Sequence, residues 1–130
     1  MVLSDKLKNI YVFYLKNAYL VFDNQLKNYV GNYVSTDITL KNYQSMRTLY
    51  LVNFSNNIYI NLNYKKEKLN DFFLDLKLIE SEEFVGLKYD FDETINDIVN
   101  ITSVSNFDIL TSEAYLEKLE YRISLYEEHF

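Results

Sequence analysis

The side chains of this sequence that could take part in chemistry are mainly carboxylates. They are densest between positions 80 and 97, where aromatic residues are interleaved with them and Lys88 is the only basic residue. Carboxylates beside aromatic rings suit the docking of a basic protein, because the charges steer association and the rings supply desolvated contact area. The pattern predicts a partner-binding surface made of Glu80, Glu82, Glu83, Tyr89, Asp90, Asp92, Glu93 and Asp97. The competing interpretation is a solvated acidic face whose aromatic residues point into the core.

Several kinds of catalytic and metal site are excluded by what the sequence lacks. Without cysteine there is no thiol nucleophile, no iron–sulfur cluster and no thiolate ligand for zinc. The single histidine, His129, is too little for a Ser-His-Asp triad or a histidine-rich metal site. Gly31 and Gly86 are too far apart to build a phosphate-binding loop, and the run from Asp90 lacks the glycine and the final glutamate of a calcium loop. We therefore expect no enzyme activity, no cofactor and no metal.

The net charge of −6 is unevenly distributed along the 130 residues. Residues 1–65 hold seven basic and three acidic residues, a formal charge of +4, whereas residues 66–130 hold six basic and 16 acidic residues, a formal charge of −10. Nine of the 13 tyrosines lie in the first half. No stretch approaches the roughly 20 apolar residues of a membrane helix, and no signal peptide is recognisable, so we expect a cytoplasmic protein without a membrane partner.

Apolar spacing predicts a long N-terminal helix. From Ser4 to Gly31 large apolar residues recur at three- and four-residue steps, and Gly31 is placed to end the helix. The middle of this segment is apolar nearly all round, so we expect it to be buried on more than one side. A hairpin over residues 10–22 is the alternative, because the segment is rich in aromatic residues.

A small antiparallel sheet is predicted around residues 48–64. Two runs rich in β-branched and aromatic residues flank Ser55-Asn56-Asn57, which has the composition of a turn. In the second run Ile58, Ile60 and Leu62 would share one face of a strand. Residues 84–91 are predicted as a further strand that carries Gly86.

Helices are predicted around this sheet. Residues 66–78 and 92–100 have helical spacing, and the C-terminal helix begins at Thr111 or Ser112 as its cap. Its predicted inner face consists of Leu116, Leu119, Ile123, Tyr126 and Phe130. The predicted fold class is α+β, with residues 1–130 forming one compact domain in which an N-terminal long helix and a C-terminal helix cover the sheet.

A nucleic-acid interface is the less favoured interpretation of one segment. Lys65, Lys66 and Lys68 lie beside Tyr59 and Tyr64, so the lysines could contact phosphates while the rings stack on bases. With a net charge of −6 and an excess of only +4 in the first half, the gain from counterion release would be small. We do not expect nucleic acid as a partner.

In size and charge the chain resembles bacterial immunity proteins of toxin systems, and phage-encoded inhibitors of host defence nucleases share the same profile. This resemblance implies an acidic antitoxin that binds and neutralises a basic toxin or nuclease domain, because a nuclease surface is basic to hold phosphates. The alternative is a structural or assembly subunit that self-associates, for example as a homodimer, through its tyrosine-rich N-terminal half.

Overall fold

The computed structural model describes the backbone of residues 2–35, 40–75 and 82–128, and the side chains of residues 7–31, 48–72 and 85–128. Four α-helices make up nearly all of this backbone, and no strand forms within it. In chain order they are α1 (Val2–Ser35), α2 (Leu40–Asp75), α3 (Glu82–Ile101) and α4 (Ile109–Glu128). The predicted α+β class is therefore wrong, because the described part of the chain is all helical.

Helix α1 contacts each of the other three helices, and its neighbours α2 and α4 run antiparallel to it. Tyr11 of α1 packs edge-on against Tyr126 of α4 with ring centroids 5.2 Å apart, while Phe22 meets Tyr115 eleven residues earlier in α4. At the other end of α1, Tyr29 packs against Phe54 of α2. Helices α2 and α3 also pack against each other.

The buried residues of α1 follow the spacing that the sequence predicts, and the hairpin alternative over residues 10–22 is excluded because this segment is continuous helix. The fully or almost fully buried side chains of this stripe are Leu7, Tyr11, Leu15, Ala18, Phe22, Leu26 and Tyr29. Val12, beside the stripe, is also buried, as expected for a helix covered on more than one side. Gly31 does not end the helix, which continues to Ser35.

The predicted hairpin at 48–64 is wrong, because all of this segment lies inside α2. Ile58 and Leu62 are fully buried, four residues apart, whereas Ile60 between them is 63% exposed. A strand would have placed all three on one face, so the burial follows the helical period instead. The β-branched and aromatic residues are accommodated because packing against α1 outweighs local propensity.

Two asparagine side chains of α2 form hydrogen bonds within that helix. The Asn61 amide donates a hydrogen bond of 2.7 Å to the Asn57 carbonyl, and the Asn63 amide donates one of 2.8 Å to the Tyr59 carbonyl. Each amide therefore bonds to the preceding turn of its own helix rather than competing for a turn conformation.

Residues 84–91 are also helical rather than extended, and they join the predicted helix 92–100 in a single helix, α3. Phe91, Ile95 and Ile98 are fully buried at helical spacing. Gly86, which was predicted to lie in this strand, is on the exposed side of α3.

The C-terminal helix is confirmed, with Leu116, Leu119 and Ile123 buried as predicted, whereas Phe130 lies outside the described residues. Its cap is Asp108 rather than Thr111 or Ser112. The Asp108 Oδ2 atom accepts hydrogen bonds of 2.9 Å from both the backbone N–H and the hydroxyl of Thr111. These bonds, the backbone one first, lower the pKa of the Asp108 carboxyl below its ordinary value.

The central role of α1 can be tested with two leucines of that helix. Leu15→Ala, at a fully buried position, should lower the free energy of unfolding by about 2–5 kcal/mol, because it removes core contacts and leaves a cavity. The matched control Leu20→Ala, at a position 53% exposed, should change it by about 0.5 kcal/mol or less. Urea denaturation followed by circular dichroism measures both, and equal losses would contradict this packing.

The cap of α4 makes a pH-dependent contribution to stability. Because folding lowers the pKa of Asp108, its stabilisation is present above the unfolded pKa and is lost as the pH falls through the folded pKa. Asp108→Ala should lower the thermal midpoint at neutral pH, and Asp108→Asn, which keeps the acceptor oxygen without the charge, should lower it less. Melting curves at neutral and acidic pH test this, since the difference between wild type and Asp108→Ala should shrink in acid.

Candidate protein-binding surface

The outer face of α3 carries the described members of the predicted site. Tyr89 is 69% exposed, and Glu93 and Asp97 follow it at four-residue steps with exposed side chains. Residues four apart lie above one another on a helix, so these three form one row on the solvent side. We call this row, from Tyr89 to Asp97, the α3 face. Glu82 and Glu83 begin α3, but their side chains lie outside the described residues, as does Glu80 altogether.

Asp90 and Asp92 lie at the two margins of the α3 face and are half-buried. One oxygen of Asp92, Oδ1, is enclosed by the protein and accepts no hydrogen bond from any described residue. Asp90 faces α4, where its Oδ2 atom is 3.4 Å from a terminal nitrogen of Arg122. These two carboxylates therefore have part of their charge directed at the protein itself, whereas Glu93 and Asp97 have exposed side chains.

Arg122 joins α3 to α4 at this margin. Its guanidinium donates a hydrogen bond of 2.6 Å to the Thr94 hydroxyl, and that hydroxyl in turn donates one of 2.8 Å to the backbone carbonyl of Asp90. Thr94 is 2% exposed, so the network is partly shielded from water and its charge-assisted bonds are stronger than surface ones. Arg122 thus holds the α3 face in a defined position relative to α4.

Tyr115 of α4 lies beside the same network. Burial, followed by the nearby carboxylate of Asp97, raises the pKa of Tyr115 to about 12. The phenol therefore stays neutral throughout the physiological range, and its ring packs against Phe22 of α1. We assign it a structural role at the junction of three helices.

Further exposed carboxylates lie on α4, outside the set of residues predicted from the sequence. Glu113, Glu117 and Glu120 of α4 are exposed and follow one another at steps of four and three residues, so they share one side of that helix. Prediction from the sequence missed them because it considered only the densest run of acidic residues. The helical spacing of glutamates within α4 is the signal that could have identified them.

Two clefts between helices were also not predicted from the sequence. One lies between α1 and α4, and the other, of about 450 Å³, lies between α1 and α2 above Tyr29 and Phe54. Carboxamides supply most of the polar lining of the second cleft: Gln25, Asn28, Asn53, Asn56 and Asn57. The second cleft cannot be found from the sequence, because it depends on how α1 and α2 pack, and the predicted hairpin over residues 48–64 would place its α2 residues differently.

The lysines and tyrosines considered for nucleic acid are arranged differently from a stacking platform. Tyr59 and Tyr64 are both exposed, but five helical residues rotate them about 140° apart around α2. The Lys68 ammonium lies over the Tyr64 ring, 5.3 Å from its centroid, as in a cation–π contact.

The described residues contain no cluster of three or more side chains arranged to hold a metal ion. None of the helices in the described ranges has an apolar stretch long enough to cross a bilayer. Comparison with protein-family models, with curated proteins and with solved structures finds no match to this chain. The residues of the α3 face and of the clefts are therefore the basis for a functional proposal.

The position of Tyr115 predicts a specific loss of stability in alkali. Because folding raises its pKa from 10.0 to about 12, the contribution of the neutral phenol is complete below pH 10 and is lost as the pH rises through about 12. Tyr115→Phe should therefore lose less stability than wild type across this interval. Urea denaturation at a series of alkaline pH values measures it, with Tyr121→Phe on the exposed side of α4 as the control. An identical decline in wild type and Tyr115→Phe would contradict the assignment.

Proposed function

We propose that this protein is a stoichiometric inhibitor that binds a basic protein, most simply an immunity protein for a toxin nuclease, through its α3 face. The observation that carries the proposal is the outward row of Tyr89, Glu93 and Asp97, in which a largely exposed aromatic ring stands beside two exposed carboxylates. Such a row supplies both the steering charge and the contact area that docking a cationic protein requires.

The charge around this face supports a basic partner. Between residues 85 and 128 there are ten acidic and three basic residues, a formal charge of −7. One of the three basic residues, Arg122, is engaged with Asp90 and Thr94, so its charge is turned toward the protein's own side chains. A cationic surface approaching α3 and α4 would meet a strongly negative field, which accelerates association.

The apolar residues of α1 give little support to self-association, because most of them are buried inside the molecule. The middle of α1 is apolar nearly all round, and α2, α3 and α4 all pack on it. Most of its apolar surface is therefore buried between helices. Phe13 and Leu20 remain exposed on one side of α1, two turns apart, with the polar residues Lys16 and Asn17 between them. The inhibitor is therefore the function that we favour.

The proposal is tested with the protein encoded beside this gene. If the proposal is correct, that neighbour contains a basic nuclease or toxin domain, forms a one-to-one complex with this chain and loses its activity on binding. Glu93→Gln combined with Asp97→Asn should weaken the complex about tenfold at low salt, mainly through slower association, and the effect should diminish as salt is added.

The matched control places the same charge change on another helix. Glu67→Gln combined with Asp71→Asn removes two exposed carboxylates from α2 and should leave the affinity nearly unchanged. Isothermal titration calorimetry and stopped-flow mixing give the affinities and rates. Equal weakening by both pairs would show a non-specific charge effect, and a neighbouring product that is not basic or does not bind would remove the main support for the proposal.

A further inference from the structure

A second feature of the surface is a groove of about 520 Å³ between the C-terminal half of α1 and the N-terminal half of α4. Its floor consists of the apolar side chains of Leu26, Val30 and Leu116. At one end the lining residue is Gly31, which has no side chain to fill the space. This volume lies in the range of sites that enclose a ligand or a large side chain of a partner.

The rim of this groove is acidic. Glu113 and Glu117 are exposed on successive turns of α4, and Asp23 stands opposite them on α1. The Asp23 carboxylate pairs with Lys27, one turn further along α1, at 2.9 Å. The charges of Asp23 and Lys27 cancel, so the rim has a formal charge of −2, which comes from Glu113 and Glu117.

The geometry points to a docking groove for a basic amphipathic segment of the partner protein, which inserts an apolar side chain between α1 and α4. Basic residues on either side of that side chain would pair with Glu113 and Glu117 at the rim. An apolar floor with a negative rim is complementary to such a segment both in hydrophobicity and in charge. This inference rests on the proposed function, because it names the kind of segment by which the basic partner is held.

Charge also argues against the other occupants of such a groove. A second copy of this chain would bring a net charge of −6 to a rim that is itself negative, and like charges facing one another weaken association. An anionic polymer such as a nucleic acid would be repelled in the same way. A cationic segment is the occupant that the charges of the rim attract.

Gly31 offers a way to close the groove without disturbing the core. A Cβ atom built on Gly31 meets no atom within 4 Å, and Gly31 lines the groove, so we expect a leucine there to occupy part of the groove. Since Gly31 lies inside α1, replacing it also raises helix propensity. Gly86 of α3 is equally open and equally helical, so Gly86→Leu is a matched control away from the groove.

The test uses a synthetic amphipathic helical peptide of leucine and lysine, labelled with a fluorophore, and measures its binding to the full chain by fluorescence anisotropy. Wild type should bind the peptide, and Gly31→Leu should weaken binding by at least about tenfold, because the space for one large apolar side chain is filled. Gly86→Leu should bind as wild type does. Thermal melting should show that Gly31→Leu is at least as stable as wild type, so that lost binding cannot be attributed to unfolding.

A second set of measurements tests the rim. Glu113→Gln combined with Glu117→Gln should weaken peptide binding about three- to tenfold at low salt, and the difference should shrink at high salt. A peptide with serine in place of leucine should lose binding because it has no apolar anchor. A peptide with glutamate in place of lysine should lose it because its charge repels the rim.

Three results would overturn the groove inference. If Gly86→Leu lost the peptide and Gly31→Leu kept it, binding would belong to the α3 face and only the proposed function would stand. If light scattering showed a dimer that Gly31→Leu dissociates, the occupant would be a second copy of the chain. The third result is that Glu93→Gln with Asp97→Asn weakens binding of the basic protein encoded by the neighbouring gene, whereas Gly31→Leu does not. In that case the proposed inhibitor function would be supported and the groove would have no part in binding.

Discussion

The apolar side chains of α1 are covered by three different helices, and this burial is the constraint on which the rest of the structure depends. Leu15, Ala18 and Phe22 of α1 are fully buried. Their burial is possible because α2, α3 and α4 each contact α1. Aromatic rings fill the spaces where the helices meet, such as Tyr11 against Tyr126. A helix that is apolar nearly all round is thereby kept from solvent without a sheet.

The surface chemistry follows from this arrangement. Because α1 supplies the common core, α3 and α4 each need only one apolar face, and their outer faces are available for carboxylates. Arg122 joins the two helices by holding both Asp90 and Thr94, so the acidic rows on α3 and α4 keep a defined separation. The groove beside α4 lies between that helix and α1, and Gly31 is among its lining residues. Its acidic rim and the α3 face are separate acidic regions, because Glu113 and Glu117 lie on the side of α4 opposite Arg122, which contacts α3.

The candidate site could be predicted only in part. The carboxylates of α3 can be recognised from the sequence, because Glu93 and Asp97 lie in its densest acidic run. The helical conformation of residues 82–101 then places both of them in one row with Tyr89. The sequence does not indicate that Asp90 is turned toward Arg122, which is 32 positions away. It also does not indicate the groove, whose floor combines Leu26 with Leu116 from opposite ends of the chain. Both depend on distances between helices, which local patterns do not contain.

The sequence by itself determined the helices α1 and α4, because their apolar residues recur at a clear helical period, and it determined the concentration of negative charge in the second half. Only the tertiary structure decided the state of residues 48–64 and 84–91. Intrinsic preferences for strand span about 1 kcal/mol per residue, whereas fully burying a side chain such as Phe54, Ile58 or Leu62 is worth about 1.5–3 kcal/mol. These three residues are buried in α2 whereas Ile60, which a strand would place on the same face, is exposed, so packing in the helical bundle outweighs the local preference for strands.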